Sequence, residues 1–278
     1  MTSAAAPPLL NTLSVGTAGP RVAFLHGLFG QGRNWNQIAK AVAAPDGTAA
    51  RCLLVDLPDH GRSPWSQEFS FVGYADAVAA TLAAAAPGET WVVVGHSLGG
   101  KTAMVLALRH PDLVSGLVVV DIAPKSYGSL HRFEGYIDQM RGLPLDALDT
   151  RADAERLFHE SSPNVKAFLL QNLRRDKGTW HWQANLDLFA ADAARGVDSQ
   201  IAQWPSEADA LPPYPGRALW IAGGESDYVT PEDGEHMRAI FPRTRLFTIK
   251  GAGHWVHTDA PDIIVQALRR FVRGSDAP

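Results

Sequence analysis

An α/β fold follows from the sequence, with a mostly parallel central sheet, helices on both faces and one helical insertion. Short valine-rich apolar runs recur along the chain and nearly all end in glycine or aspartate, as strands buried on both faces do. Helical stretches separate them, and such alternation implies a parallel sheet. The alternation breaks after Asp121 and resumes past Pro213.

The beginning, "MTSAAAPPLLNTL", is rich in alanine and proline and is expected to fray. It lacks the basic region and sustained apolar core of a signal peptide. "RVAFLHG" (21–27) and "RCLLVD" (51–56) read as buried strands. "FVGYADAVAATLAAAA" (71–86) reads as a helix and "WVVVG" (91–95) as a strand. "LGGKTAMVLALRH" (98–110) is a helix that stops before Pro111. "GLVVVD" (116–121) is the next strand. From about Ser126 to Pro213 no buried strand is expected, only helices and loops such as "HRFEGYIDQM" and "ADAERLFHE". "PPYPG" then punctuates, and "RALWIAGG" (217–224), "RLFTI" (245–249) and a last helix, "PDIIVQALRRFV" (261–272), follow. The expected organisation is a core of residues 1–125 and 214–278, interrupted by a helical cap at 126–213.

Composition narrows the function. With 46% hydrophobic and 19% charged residues over 278, the chain has the make-up of a soluble globular protein able to bury a sizeable core. The net charge is -4, from 25 basic and 29 acidic side chains, with no basic stripe, so no nucleic-acid partner is expected. No apolar stretch approaches the ~18 residues of a membrane span. Cys52 is the only cysteine, which excludes an internal disulfide and reads as a small buried hydrophobe. A reducing, cytoplasmic compartment is the expectation.

The chemistry concentrates around "GHSLG", residues 95–99. G-x-S-x-G between a strand and a helix is a nucleophile elbow, which strains Ser97, requires Gly95 and Gly99 to be small and sets the Leu98 N–H at the first helical turn. A serine hydroxyl needs an adjacent base. Of the 10 histidines, His254 in "IKGAGHWVHTDAP" fits, because it comes last, in a glycine-rich loop after a strand. His257 reads instead as a solvent or cap contact. "FLHGLFG" (24–30) ends an early strand beside the elbow, so the N–H groups of Leu28 and Leu98 are the expected oxyanion hole. His26 reads as a brace for that loop, and Phe29 and Trp255 are expected to face the substrate. Lys101 reads as a helix-surface or loop contact, and Trp180 and Trp182 as core fillers.

Two carboxylates could orient His254: Asp121, ending a strand, and Asp227, in "GGESDYVTP". Order along the chain does not separate them, but a rigid strand end holds a side chain more precisely than a loop, which favours Asp121. No metal-binding set stands out, and "GLFGQG" lacks the G-K-[ST] ending of a phosphate loop.

"HGLFG", "GHSLGGK", "VVVDIAP" and "GAGHWVH", in this order, resemble the α/β-hydrolase superfamily, and within it small bacterial serine esterases with a helical cap. The resemblance covers nearly all of the chain beyond about residue 20. It implies cofactor-free hydrolysis of small to medium acyl esters or thioesters, with the cap roofing the acyl pocket. It also implies an acid in the segment matching "DIAP", again Asp121, with Asp227 kept as the second carboxylate. The sequence departs from that group at Pro58 and Asp59, where Arg-Asn is common, and at Gln183, where a basic residue is common; both departures are expected to alter the pocket mouth. Ser97 at the elbow argues against dehalogenases and epoxide hydrolases, which use aspartate there. The alternatives are a cofactor-free haloperoxidase or perhydrolase, a carbon–carbon bond hydrolase, and a ligand-binding protein on the same fold. Oligomeric state is not legible in the sequence.

Overall fold

The computed structural model describes residues 7–46, 48–128, 131–160 and 162–274. The expected frayed start falls mainly on residues 1–6, outside the described residues. The strands are β1 (Thr12–Val15), β2 (Arg21–Leu25), β3 (Arg51–Val55), β4 (Trp91–His96), β5 (Val114–Val120), β6 (Leu173–Asp176), β7 (Thr179–Trp182), β8 (Ala218–Gly223) and β9 (Thr244–Ile249). Seven of them form one sheet in the order β1-β3-β2-β4-β5-β8-β9. β1 pairs antiparallel with β3, and every other neighbour is parallel. Period-2 alternation along buried strands feeds two cores. Ala23, Val93, Val119 and Trp220 pack on one face. Phe24, Val94, Val118 and Ile221 pack on the other.

The helices are α1 (Asn36–Ala43), α2 (Phe71–Ala85), α3 (Leu98–Arg109), α4 (His131–Arg141), α5 (Arg151–Leu157), α6 (Pro163–Leu170), α7 (Leu186–Ala193), α8 (Ser206–Asp209), α9 (Asp233–Ile240), α10 (Val256–Asp259) and α11 (Pro261–Val272). α1 and α11 cover the second face. α11 does so with Ile264, Leu268 and Val272, four residues apart on one stripe, behind a proline at its first turn. α2 and α3 cover the first face. α3 is buried from Leu98 to Leu108, because other chain segments enclose it on every side.

Two elements depart from the sequence reading. β1 went unrecognised because it is an edge strand with three of its four residues exposed. The hairpin β6–β7 lies within the stretch read as helices and loops. Its buried residues, Leu173 and Trp182, form no apolar run, and it turns on Lys177 and Gly178, both at positive φ (48° and 92°), as a two-residue hairpin loop requires. Between β5 and β8 the chain adds nothing to the central sheet. It departs at Ser126–Tyr127 and returns at Ala202–Trp204: the Tyr127 N–H donates to the Ala202 carbonyl at 2.9 Å, and the Trp204 N–H donates to Ser126 Oγ at 3.0 Å. Cys52 is buried in β3, and burial pushes its thiol up to about 12, which leaves it unreactive. No helix among the described residues is long and apolar enough to cross a membrane.

Candidate active site

Ser97 joins β4 to α3 with φ 52° and ψ -118°, a conformation that costs about 1–3 kcal/mol unless its surroundings enforce it. They do. Its N–H donates to the Val120 carbonyl at 3.1 Å, and its carbonyl accepts from the Lys101 N–H at 3.0 Å. A Cβ on Gly95 would lie 2.2 Å from the Gly99 carbonyl oxygen, and one on Gly99 would lie 2.5 Å from that of His26. Only hydrogen fits at either position. The strand–turn–helix context that the motif requires is therefore present.

His254 sits in the loop between β9 and α10, and its Nδ1–H donates to Asp121 Oδ2 at 2.8 Å. Asp121 is fully buried at the end of β5. Its Oδ1 accepts from the Gly223 N–H at 2.9 Å, and the Ser226 hydroxyl donates to its Oδ2. Tyr228 stacks on the imidazole at 4.0 Å and 21°, and His96 donates from Nε2 to the His254 carbonyl at 2.9 Å. Both ring orientation and tautomer are thereby set: a neutral imidazole whose Nδ1–H faces a carboxylate presents Nε2 as an acceptor. Asp227, the alternative acid, is exposed and makes no ion pair with His254. Its neighbours Ser226 and Tyr228 turn inward in its place. His257 stacks on Trp35 at 4.7 Å and adjoins His96, where burial pushes its ring down to about 4.

The loop after β2 is held from beneath by two histidines. His26 accepts from the Leu57 N–H at 3.0 Å and donates to the Gly27 carbonyl at 2.8 Å. That is the bracing role expected of it. His60 accepts from the Phe29 N–H at 3.2 Å and donates to the Pro58 carbonyl at 2.8 Å. Burial pushes both rings below the ordinary histidine value, so both act as neutral, one-donor, one-acceptor braces. The Leu28 N–H is left without an acceptor among the described residues, and the Leu98 N–H, opening α3, precedes any acceptor within its helix. His60 was passed over in the sequence although "DHG" is a turn beside an apolar strand.

The departure at Asp59 does not shape the pocket mouth. Asp59 is fully buried and accepts from the Ser66 N–H (2.7 Å), the Ser66 hydroxyl (2.6 Å), the Tyr74 hydroxyl (2.9 Å) and Asn185 Nδ2 (2.8 Å). It ties the loop after β3 to α2 and to the insertion. Gln183 lines neither cavity at Ser97, and neither do Trp180 and Trp182. Trp182 packs against Phe158, and Trp180 donates to the Leu148 carbonyl at 2.8 Å.

Two small cavities meet at Ser97. One, of about 30 Å³, is lined by Leu28, Phe29, Ser97, His254 and Trp255 and roofed by Phe133, Tyr136 and Phe168 of α4 and α6. It therefore gathers Ser97, His254, Phe29 and Trp255, which the sequence singled out. The other, of about 50 Å³, shares Leu28, Ser97 and Phe133 and has Lys101, Ile122 and Tyr127 in its walls. Of the two readings of Lys101, the loop contact agrees with the structure and the helix surface does not: the residue is 2% exposed, and burial pushes its ammonium down to about 7. Its Nζ donates to the carbonyls of Ala202 and Gln203, both at 2.8 Å. Among the described residues no His/Cys/Asp/Glu group is arranged to hold a metal ion.

A family model described as "alpha/beta hydrolase fold" matches residues 20–261. The chain belongs to the α/β-hydrolase fold family. It is 36% identical over 262 residues to the mouse sn-1-specific diacylglycerol lipase ABHD11, covering 91% of this chain and 81% of that one. Esterase YbfF of Escherichia coli is 29% identical over 253 residues, covering 90% and 92%. Among solved structures, a marine microorganism esterase superposes with a TM-score of 0.86 at 30% identity, covering 95% of this α/β hydrolase and 99% of the other chain. This kinship, along nearly the full length, makes the chain a carboxylic ester hydrolase.

Proposed function

We propose that this α/β hydrolase cleaves small to medium acyl esters or thioesters through an acyl-enzyme on Ser97. The single observation that carries the reading is the 2.8 Å bond from His254 Nδ1–H to buried Asp121, with Ser97 on its strained elbow in the same cavity. Ser97 Oγ attacks the acyl carbonyl carbon and its proton passes to His254 Nε2. Asp121 stays ionised and stabilises the imidazolium. The oxyanion is held by the Leu28 and Leu98 N–H groups, each worth about 3 kcal/mol. Collapse of the tetrahedral intermediate expels the alcohol or thiol, which takes the proton from His254. Water, deprotonated by His254, then releases the acid and restores Ser97.

Residues 126–213 serve as the cap in this reading, over a core of 1–125 and 214–278. The roof of Phe133, Tyr136 and Phe168 supports a limit on acyl length. A cavity of about 30 Å³ holds little more than a water, so the cap must move to admit substrate. No cofactor enters these steps. A fluorophosphonate probe and a p-nitrophenyl ester series test the reading together. Labelling is expected at Ser97, with turnover of soluble short esters and loss of both in Ser97→Ala. Near wild-type turnover by Ser97→Ala would overturn it.

A further inference from the structure

Lys101 stands four residues after Ser97, which caps α3, and so follows the first turn of that helix. Helical side chains lean toward the N-terminus, so its stem rises toward the serine. It forms part of the wall of the cavity of about 50 Å³, whose other walls include Leu98, Ile122 and Tyr127. The Tyr127 hydroxyl is already engaged, accepting from the Ala123 N–H and donating to the Tyr228 carbonyl. Lys101 is thus the cation of an otherwise largely apolar pocket.

Its charge lacks a counter-ion. The ammonium donates to two backbone carbonyls and lies 5.0 Å from the ring of Tyr127 and 5.4 Å from that of Phe71, but among the described residues no carboxylate pairs with it. An ammonium carries three donors, and these two bonds use two of them. Burying an unpaired ammonium is expensive, and an apolar side chain of similar length would fill the space at lower cost. Lys101 shares that cavity with Ser97, so an anionic ligand bound there would offset the cost of its charge.

We propose that Lys101 is a specificity residue that receives a carboxylate at the far end of the acyl group. The preferred substrates are then monoesters or monothioesters of short dicarboxylic acids. This rests on the acyl-enzyme reading of Ser97 and names its substrate class. Ser97 and Lys101 line the same cavity of about 50 Å³, which calls for a short acyl chain between them.

The test uses a pair of equal acyl length: monoethyl glutarate, which ends in a carboxylate, and ethyl valerate, which ends in a methyl group. Wild-type kcat/KM is expected to favour monoethyl glutarate by at least about tenfold. In Lys101→Met that ratio should fall at least about tenfold, through KM, whatever the absolute rate. Should Lys101→Met fail to fold, product inhibition of the wild-type enzyme decides: glutarate must inhibit more strongly than valerate, competitively. Equal or better cleavage of ethyl valerate by the wild type, an unchanged ratio in Lys101→Met, or equal inhibition by the two acids overturns the proposal. In each of those cases ester hydrolysis on Ser97 still stands. Turnover of neither ester, with no fluorophosphonate labelling of Ser97, would instead overturn the acyl-enzyme reading beneath it.

Discussion

Asp121 grips His254 from the end of β5 while its remaining carboxylate bonds come from Gly223, the last residue of β8, and Ser226, just past it. One buried side chain thus joins the two strands that flank the insertion and fixes the imidazole between them.

The first prediction follows directly. Asp121→Asn should lower kcat by about 10³–10⁴, because an amide favours the wrong tautomer of His254. Asp227→Asn, altering an exposed side chain, should change kcat less than about threefold. Steady-state hydrolysis of p-nitrophenyl acetate separates the two, and a crippled Asp227→Asn beside a mild Asp121→Asn would reverse the assignment.

Tyr228 presses its ring on His254, so the face of the tyrosine rather than its hydroxyl should matter. Tyr228→Phe is expected to keep kcat within about threefold, whereas Tyr228→Ala should lose on the order of 10²-fold through a misplaced base. Equal losses in both variants would assign the effect to the hydroxyl.

Asp59 gathers four donors without facing the cavity. Asp59→Ala strands buried donors of Ser66, Tyr74 and Asn185 and should destabilise the protein by about 3–5 kcal/mol. Urea unfolding measures this; a loss below about 1 kcal/mol would refute the role.

Acid should unfold the protein early. His26, His60, His96 and His257 all have folded-state values depressed by burial from the ordinary 6.5, His257 to about 4. The unfolded chain takes up these protons as pH falls through 6.5, and the folded chain does not. Stability is therefore full above about pH 6.5 and declines as pH falls below it, the His257 contribution being lost by about pH 4. Urea midpoints at pH 7.5 and 4.5 check this, and equal midpoints would contradict it.

Much of the candidate site was legible because its signals are local. The elbow at Ser97 is a backbone geometry that Gly95 and Gly99 permit within five residues. Asp121 announced itself as the polar end of an apolar strand. What failed was non-local. In "ESDY" the aspartate drew attention, yet the bend after β8 brings Ser226 to Asp121 and Tyr228 to His254 and leaves Asp227 exposed. Lys101 was read as a helix-surface residue or a loop contact, and nothing local decides between the two. Only the return of the chain at Ala202 and Gln203 makes that face interior. Asp59 was misjudged for the same reason, since Tyr74 and Asn185 come to it from other elements. β1 escaped because it is exposed, and the β6–β7 hairpin because its buried residues, Leu173 and Trp182, form no apolar run to read.

The backbone bond from Tyr127 to Ala202, with Trp204 returning to Ser126, makes the long excursion begin and end at a single neck. Closing a loop costs free energy only as the logarithm of its length, so doubling such a lobe adds about 0.6 kcal/mol. The sheet is thermodynamically almost blind to the size of what hangs from that neck. A different lobe could be grafted onto Ser126–Tyr127 and Ala202–Trp204 while β5 and β8 keep their register. The lobe that supplies Phe133, Tyr136 and Phe168 is then exchangeable without disturbing the strands that lead into Ser97 and Asp121.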